Sequence, residues 1–154
     1  LPEVVVGAGT IFDPGALDRA VAAGACFGVS PGFDRKLSDA ARAAGFPYVP
    51  GTVTASEIQA ALTSGHQLLK FFPAEASGGV AALRALYAPF APSGVAFMPT
   101  GGISAENAAD WLATPGVVAI GGSWVASRRD LEAGRWEEIA ARARDASRLS
   151  RGDR

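Results

Sequence analysis

VAFMPTGGIS (residues 95–104) runs from an apolar, strand-length segment through Pro99 and Thr100 into a pair of glycines, Gly101 and Gly102. The next apolar run, VVAIGGSW (117–124), ends the same way, with Gly121, Gly122 and Ser123. Glycine-rich turns after the last two strands are a feature of (β/α)-barrels, where backbone N–H groups in the loops after strands 7 and 8 often hold a phosphate. Glycine permits close approach of backbone to an anion, and Ser123 adds a hydroxyl. Either pair alone is equally well explained as a simple turn. Their recurrence on the two final units favours phosphate binding at Gly101, Gly102, Gly122 and Ser123.

Outward from these turns, one pattern covers the chain. Short apolar runs alternate with helical stretches: EVVVGAG (3–9), ACFGVS (25–30), FPYVPG (46–51), QLLKFF (67–72), VAFMPT (95–100) and VVAIGG (117–122). Each run has the length of a strand buried on both faces. Helix starts are marked by Asp13-Pro14, by the capping-box spacing of Thr54 to Glu57, and by Ser104. Gly24, Gly45 and Gly65 stand where helices stop. Six strands alternating with helices predict an α/β fold with a parallel sheet. A doubly wound sheet competes, but GAGTIF (7–12) supplies only the first two glycines of G-x-G-x-x-G. The predicted fold class is therefore a TIM (β/α)8 barrel.

Counting back from the glycine turns as strands 7 and 8 places Lys70 on strand 6 and EVVVGAG on strand 3. The chain is then expected to be a single partial barrel domain over 1–154 with six βα units, strands 3 to 8, and to lack the first two units. Barrels of this kind usually need ~200 residues or more, against 154 here. The basic C-terminal stretch, 148–154, is expected to be a disordered tail.

Bulk composition narrows the function classes. The net charge of −1 offers no electrostatic case for nucleic acid or an anionic membrane. No apolar run reaches the length of a membrane span, and the first residues carry no signal-peptide pattern. The single cysteine, Cys26, excludes an internal disulfide and reads as a small buried hydrophobe.

Lys70 is one of two lysines, against twelve arginines, and lies between Leu68-Leu69 and Phe71-Phe72. Alternation puts Leu68, Lys70 and Phe72 on one face of the strand. Pro73 ends the run, so Lys70 is near the strand's C-terminal end, where barrel active sites lie. Apolar surroundings disfavour the ammonium form and make a neutral, nucleophilic amine available. Schiff-base formation with a ketone or aldehyde is the chemistry that needs it. A snorkelling or salt-bridged core lysine is the competing reading. A phosphate site beside an imine-forming lysine describes a sugar-phosphate aldolase.

VVGAGTIFDP, FGVSPGF, PYVPGTVTASEI, LLKFFPAEASGGVAALRAL, FMPTGGIS and VAIGGSWV together resemble, in order, the motifs of the 2-keto-3-deoxy-6-phosphogluconate (KDPG) / 4-hydroxy-2-oxoglutarate (KHG) aldolases. The resemblance covers about residues 4 to 126, with a weaker match in LEAGRWEEIAARAR. It implies a cytoplasmic, homotrimeric class I aldolase on a TIM barrel. The implied reaction cleaves 2-dehydro-3-deoxy-6-phosphogluconate to pyruvate and D-glyceraldehyde 3-phosphate, the Entner-Doudoroff step of sugar-acid catabolism. It implies Lys70 as the Schiff-base lysine, Thr10, Pro31 and Thr100 as substrate-binding residues, and Gly101, Gly102, Gly122 and Ser123 as the phosphate site. No metal or other cofactor is implied. The galactonate-derived epimer and unphosphorylated 4-hydroxy-2-oxoglutarate remain alternative substrates, and a non-catalytic phosphate-binding barrel fragment is the alternative of another class.

One departure from the family pattern matters. The resemblance assigns proton transfer to a glutamate in an LRTE-like motif on strand 2, beside a carboxylate-binding arginine, and no such motif occurs here. General acid–base assistance typically contributes ~10²–10⁴-fold, so the fragment is expected to be weakly active or inactive alone. Glu75 offers either a substitute base or a helix-start carboxylate. His66 precedes strand 6 and falls on the opposite end of the barrel, without the partners of a metal site or triad. Trp111 reads as core or subunit-contact packing. Trp124 either covers the phosphate turn or packs under the last helix.

Overall fold

The computed structural model describes residues 4–149. Six strands form, all parallel: β1 (Gly7–Ala8), β2 (Phe27–Val29), β3 (Tyr48–Val49), β4 (Gly51–Thr52), β5 (Leu68–Phe71) and β6 (Ala96–Pro99). Between them run α1 (Pro14–Ala22), α2 (Arg35–Ala43), α3 (Ala55–Thr63) and α4 (Gly79–Phe90), the last followed by a 3-10 turn at Ala91–Ser93. Three helices complete the chain: α5 (Ala108–Leu112), α6 (Arg128–Glu132) and α7 (Trp136–Leu149).

Local chemistry explains the element ends. Asp13 caps α1 by accepting the Ala16 N–H at 2.7 Å, with Pro14 as first helical residue. Thr54 and Glu57 form the full capping box of α3, satisfying donors that a helix start leaves open. Gly24, Gly45 and Gly65 follow the last residues of α1, α2 and α3 with positive φ. Ser104 is not the cap of α5. Asn107 precedes that helix and its Oδ1 accepts the Ser104 N–H at 2.8 Å.

Strand neighbours follow chain order, as β1-β2-β3 and β4-β5-β6. β3 and β4, which divide the end of FPYVPG and the Thr52 that follows it, are parted at Pro50, whose carbonyl accepts the Lys70 N–H at 2.8 Å. The described residues therefore form two open three-stranded sheets, not the six-unit barrel wall predicted from sequence. The sixth run, 117–122, joins only through isolated parallel bridges, Phe97 with Val117 and Thr100 with Gly121. Two physical causes interrupt it. Three residues of β6 span what takes four on the partner, so one residue bulges out. Pro99 also has no N–H to donate at the position where the ladder needs one.

Burial divides the sheet into two unlike faces. Leu69, Phe71 and Phe97 are buried against Ile58 and Ala61 of α3, Leu83 of α4, and Ala108 and Trp111 of α5. A second cluster packs Ile11, Leu17, Leu37, Phe46 and Tyr48 beneath α1 and α2. Each such large side chain contributes roughly 1.5–3 kcal/mol by leaving water. On the opposite face Leu68, Lys70, Ala96 and Met98 are only half-buried. Helices thus cover one side, and the lysine stands on the other.

Two further expectations are corrected. Cys26 is exposed, because the ladder begins one residue later, at Phe27, and leaves Cys26 at the end of the sheet. Arg148 and Leu149, assigned from sequence to a tail, close the last turn of α7; 150–154 lie outside the described residues. No described helix is long and apolar enough to cross a membrane.

Candidate functional site

Parallel strands bring all their C-terminal ends to one rim, and the candidate residues follow those ends. Lys70 pairs in register with Gly51 of β4 and Met98 of β6. Its ammonium lies 4.4 Å from the centroid of the Phe72 ring, which is within cation–π range. Among the described residues its Nζ forms no ion pair and no hydrogen bond. Burial alone lowers its pKa from the ordinary lysine value of 10.5. The salt-bridged alternative is thereby excluded, and what remains is a half-buried amine with its nitrogen uncommitted.

Gly51 shows how closely the neighbouring loop approaches. A Cβ there would lie 2.2 Å from the Pro31 carbonyl oxygen, so only glycine lets the loop after β2 rest on the residue paired with Lys70. That loop is pinned by Ser30, whose hydroxyl bonds the Tyr48 hydroxyl and the Gly32 carbonyl. Pro31 itself is exposed and lines a small depression with Phe12, Ser30, Gly32, Phe33 and Leu37. Thr10, in the loop after β1, is the one non-glycine with positive φ among the described residues, at 59°. Such a conformation disfavours a β-branched residue and marks functional loops.

Thr100 follows β6 and shares the face of Met98 and Lys70 by alternation. Its Oγ1 is buried and has no hydrogen-bond partner among the described residues. A buried hydroxyl without a partner costs about 1–3 kcal/mol, and a bound polar group would relieve that. Thr100 bridges to Gly121, so the two glycine turns sit side by side. An added Cβ on Gly122 would meet the Ile103 carbonyl at 3.1 Å and the Trp124 ring at 1.8 Å. Trp124 therefore covers the second turn, and it lines a depression with Arg142 and Ala146 of α7. The backbone N–H groups of Gly102, Gly122 and Ser123 bond no acceptor among the described residues. They form a set of free donors on adjacent turns, the backbone chemistry of an anion nest.

The chain matches the family model described as KDPG and KHG aldolase over residues 1–142. It belongs to that family. The KHG/KDPG aldolase of Escherichia coli K12 is 47% identical over 146 residues, which is 95% of this chain and 68% of that relative. The 2-dehydro-3-deoxy-phosphogluconate aldolase of Dickeya dadantii is 44% identical over the same shares. Among solved structures, the aldolase of Zymomonas mobilis ZM4 with 3-phosphoglycerate superposes with a TM-score of 0.88 at 38% identity, over 99% of this chain and 70% of that one. A Legionella pneumophila KDPG aldolase, with pyruvate captured as a covalent carbinolamine, gives 0.86 at 38%, over 92% and 68%.

Within this aldolase chain, Lys70, Thr100 and the two glycine turns come together on one side of the sheet. Pro31 is tied to them through Gly51. Glu75 is not a helix-start carboxylate, and one of its two oxygens is committed. Its Oε1 accepts from Trp111 Nε1 at 2.7 Å and Asn107 Nδ2 at 3.2 Å, and α4 begins four residues later at Gly79. His66 stands before β5, bonded to Ser38 through Nε2 and set edge-on to Tyr48 and Phe33. Burial, with Arg42 nearby, lowers its pKa. Sequence reasoning missed Gly51 and Asn107. Gly51 was visible only as the last residue of the FPYVPG run, and Asn107 only as a polar residue near a helix start. Among the described residues no group of three His, Cys, Asp or Glu side chains is placed to hold a metal ion.

Proposed function

We propose that the chain is the imine-forming portion of a class I aldolase that cleaves 2-dehydro-3-deoxy-6-phosphogluconate to pyruvate and D-glyceraldehyde 3-phosphate. The observation that carries this reading is the uncommitted, desolvated amine of Lys70 on the open face of the sheet, beside two turns with free N–H donors. Neutral Lys70 Nζ attacks the C2 carbonyl, and the carbinolamine takes up a proton from solvent and loses water to leave a protonated imine. The C3–C4 bond breaks with its electron pair drawn into the imine, while the C4 hydroxyl gives up its proton to solvent water and C4 departs as the aldehyde carbon. Protonation of the resulting enamine at C3 and hydrolysis release pyruvate and restore the amine.

Thr100 is proposed to bond the keto-acid, with Thr10 and Pro31 at the pyruvate end. Gly101, Gly102, Gly122 and Ser123 are proposed to hold the 6-phosphate. Relatives named for both substrates support acceptance of unphosphorylated 4-hydroxy-2-oxoglutarate as a second substrate. The LRTE-like acid/base motif has no counterpart in this sequence, and Glu75 is engaged elsewhere, so turnover by the chain is proposed to be slow. The six parallel segments are proposed as strands 3 to 8 of a (β/α)8 barrel in a single domain, supported by neighbours in chain order and helices on one face. A homotrimeric, cytoplasmic protein is proposed on the family pattern.

Pyruvate release from the phosphorylated keto-acid, followed by a coupled NADH-consuming dehydrogenase, tests the reading. Release above the Lys70→Ala background is expected, faster with the phosphorylated than with the unphosphorylated acid. Release equal to that background would refute it.

A further inference from the structure

The turn at Gly101–Gly102 is held from outside by a residue that none of the proposed chemical steps uses. Glu75 grips it at three points. Its backbone N–H donates to the Gly101 carbonyl at 3.0 Å. Its Cβ and Cγ lie where a Cβ on Gly102 would fall, 2.6 Å away. Its Oε1 accepts from Asn107 Nδ2, which also donates to the Gly102 carbonyl at 3.0 Å. The carboxylate is anchored in turn by the indole N–H of Trp111, a fully buried residue of α5.

These bonds determine where the turn's donors point. In a trans peptide the C=O and the following N–H are antiparallel. Holding the Gly101 carbonyl toward Glu75 therefore sends the Gly102 N–H the other way. Holding the Gly102 carbonyl toward Asn107 does the same for the Ile103 N–H. Both glycines have positive φ, 97° and 82°, a conformation that glycine adopts freely but does not hold unaided. An anion cradle gains affinity when its donors are ordered before the ligand arrives.

We propose that Glu75 is a positioning residue which, through Asn107 and Trp111, pre-orders the Gly101–Gly102 backbone for a phosphate. This rests on the phosphate half of the proposed function. The carboxylate oxygen acts as a hydrogen-bond acceptor here, and its negative charge is dispensable. Glutamine presents an acceptor at the same place, so Glu75→Gln preserves the clamp, whereas Glu75→Ala keeps only the backbone bond to Gly101 and releases the Asn107 amide that holds the Gly102 carbonyl. Asn107→Ala cuts the link to Gly102 while leaving Trp111 bonded to Glu75, and so reads the clamp without uncovering the buried indole.

The test is a titration of each protein with inorganic phosphate, read by ³¹P line broadening, with folding monitored by circular dichroism. Glu75→Ala and Asn107→Ala are each expected to weaken phosphate binding by about tenfold, the scale of one lost hydrogen bond. Glu75→Gln is expected to stay within about threefold of the parent. Unchanged binding in folded Glu75→Ala or Asn107→Ala would overturn the proposal. So would a Glu75→Gln loss as large as that of Glu75→Ala. A parent protein that binds no phosphate overturns both the clamp and the phosphate site. A parent that binds phosphate yet forms no pyruvate adduct contradicts the imine reading alone and leaves the clamp standing.

Discussion

Lys70 is desolvated without being paired, and its pKa falls for that reason alone. With the folded value below 10.5, the unfolded chain holds the proton more tightly. Stability therefore rises with pH between the folded and unfolded values, and the cost of burying the cation is fully present below the folded one. Lys70→Met is accordingly expected to raise the melting temperature at pH 7, with the gain vanishing as pH approaches 10.5. A loss of stability at pH 7 would mean that the ammonium contributes through Phe72 more than burial costs. The same shift governs reactivity. The rate of imine formation should climb with pH and level off below 10.5; a profile still climbing at that value would contradict a desolvated amine. The face of Lys70 was legible from alternation alone, because a strand has only two sides. The role of Glu75 was not, because its partners lie 32 and 36 residues away on the α5 segment.

Elements were legible where local chemistry decides them. The cap of α1 and the capping box of α3 were both marked by their residues, since caps depend on atoms three positions apart. Thr54→Ala is expected to lower stability by about 1 kcal/mol, measured by urea unfolding; an unchanged midpoint would show that α3 is held by Ile58 and Ala61 alone. Close backbone approach was not legible. Gly51 reads as the end of an apolar run, yet in the fold it has room for no side chain against Pro31. Gly51→Ala is expected to cost about 1–3 kcal/mol, as overpacking does, and to slow imine formation by displacing the strand paired with Lys70. Wild-type stability and rate in that variant would contradict the register described here. The last run, VVAIGG, had strand composition but did not make a strand. Its ladder depends on what Pro99 lacks and on a one-residue mismatch, neither visible in the run itself.

For the molecule as a whole, the arrangement is two three-stranded parallel sheets packed against helices, with the chemistry on the face of β5 and β6 that the helices leave open. Val4, Val5 and Val6 before β1 are 58%, 66% and 62% exposed, beside a strand with no outer neighbour among the described residues. Unprotected edges of this kind pair with other chains. Sedimentation is expected to show concentration-dependent association that Val5→Lys weakens; equal association in both proteins would place the contact elsewhere. The succession of parallel units was legible from six apolar runs, but wall closure was not, since it depends on distant edges meeting. The central claim rests on one nitrogen, and two lysines in the chain provide an internal control. Borohydride reduction in the presence of pyruvate, followed by peptide mass spectrometry, is predicted to place a single adduct on Lys70 and none on exposed Lys36. No adduct, or equal labelling of both lysines, would contradict the account.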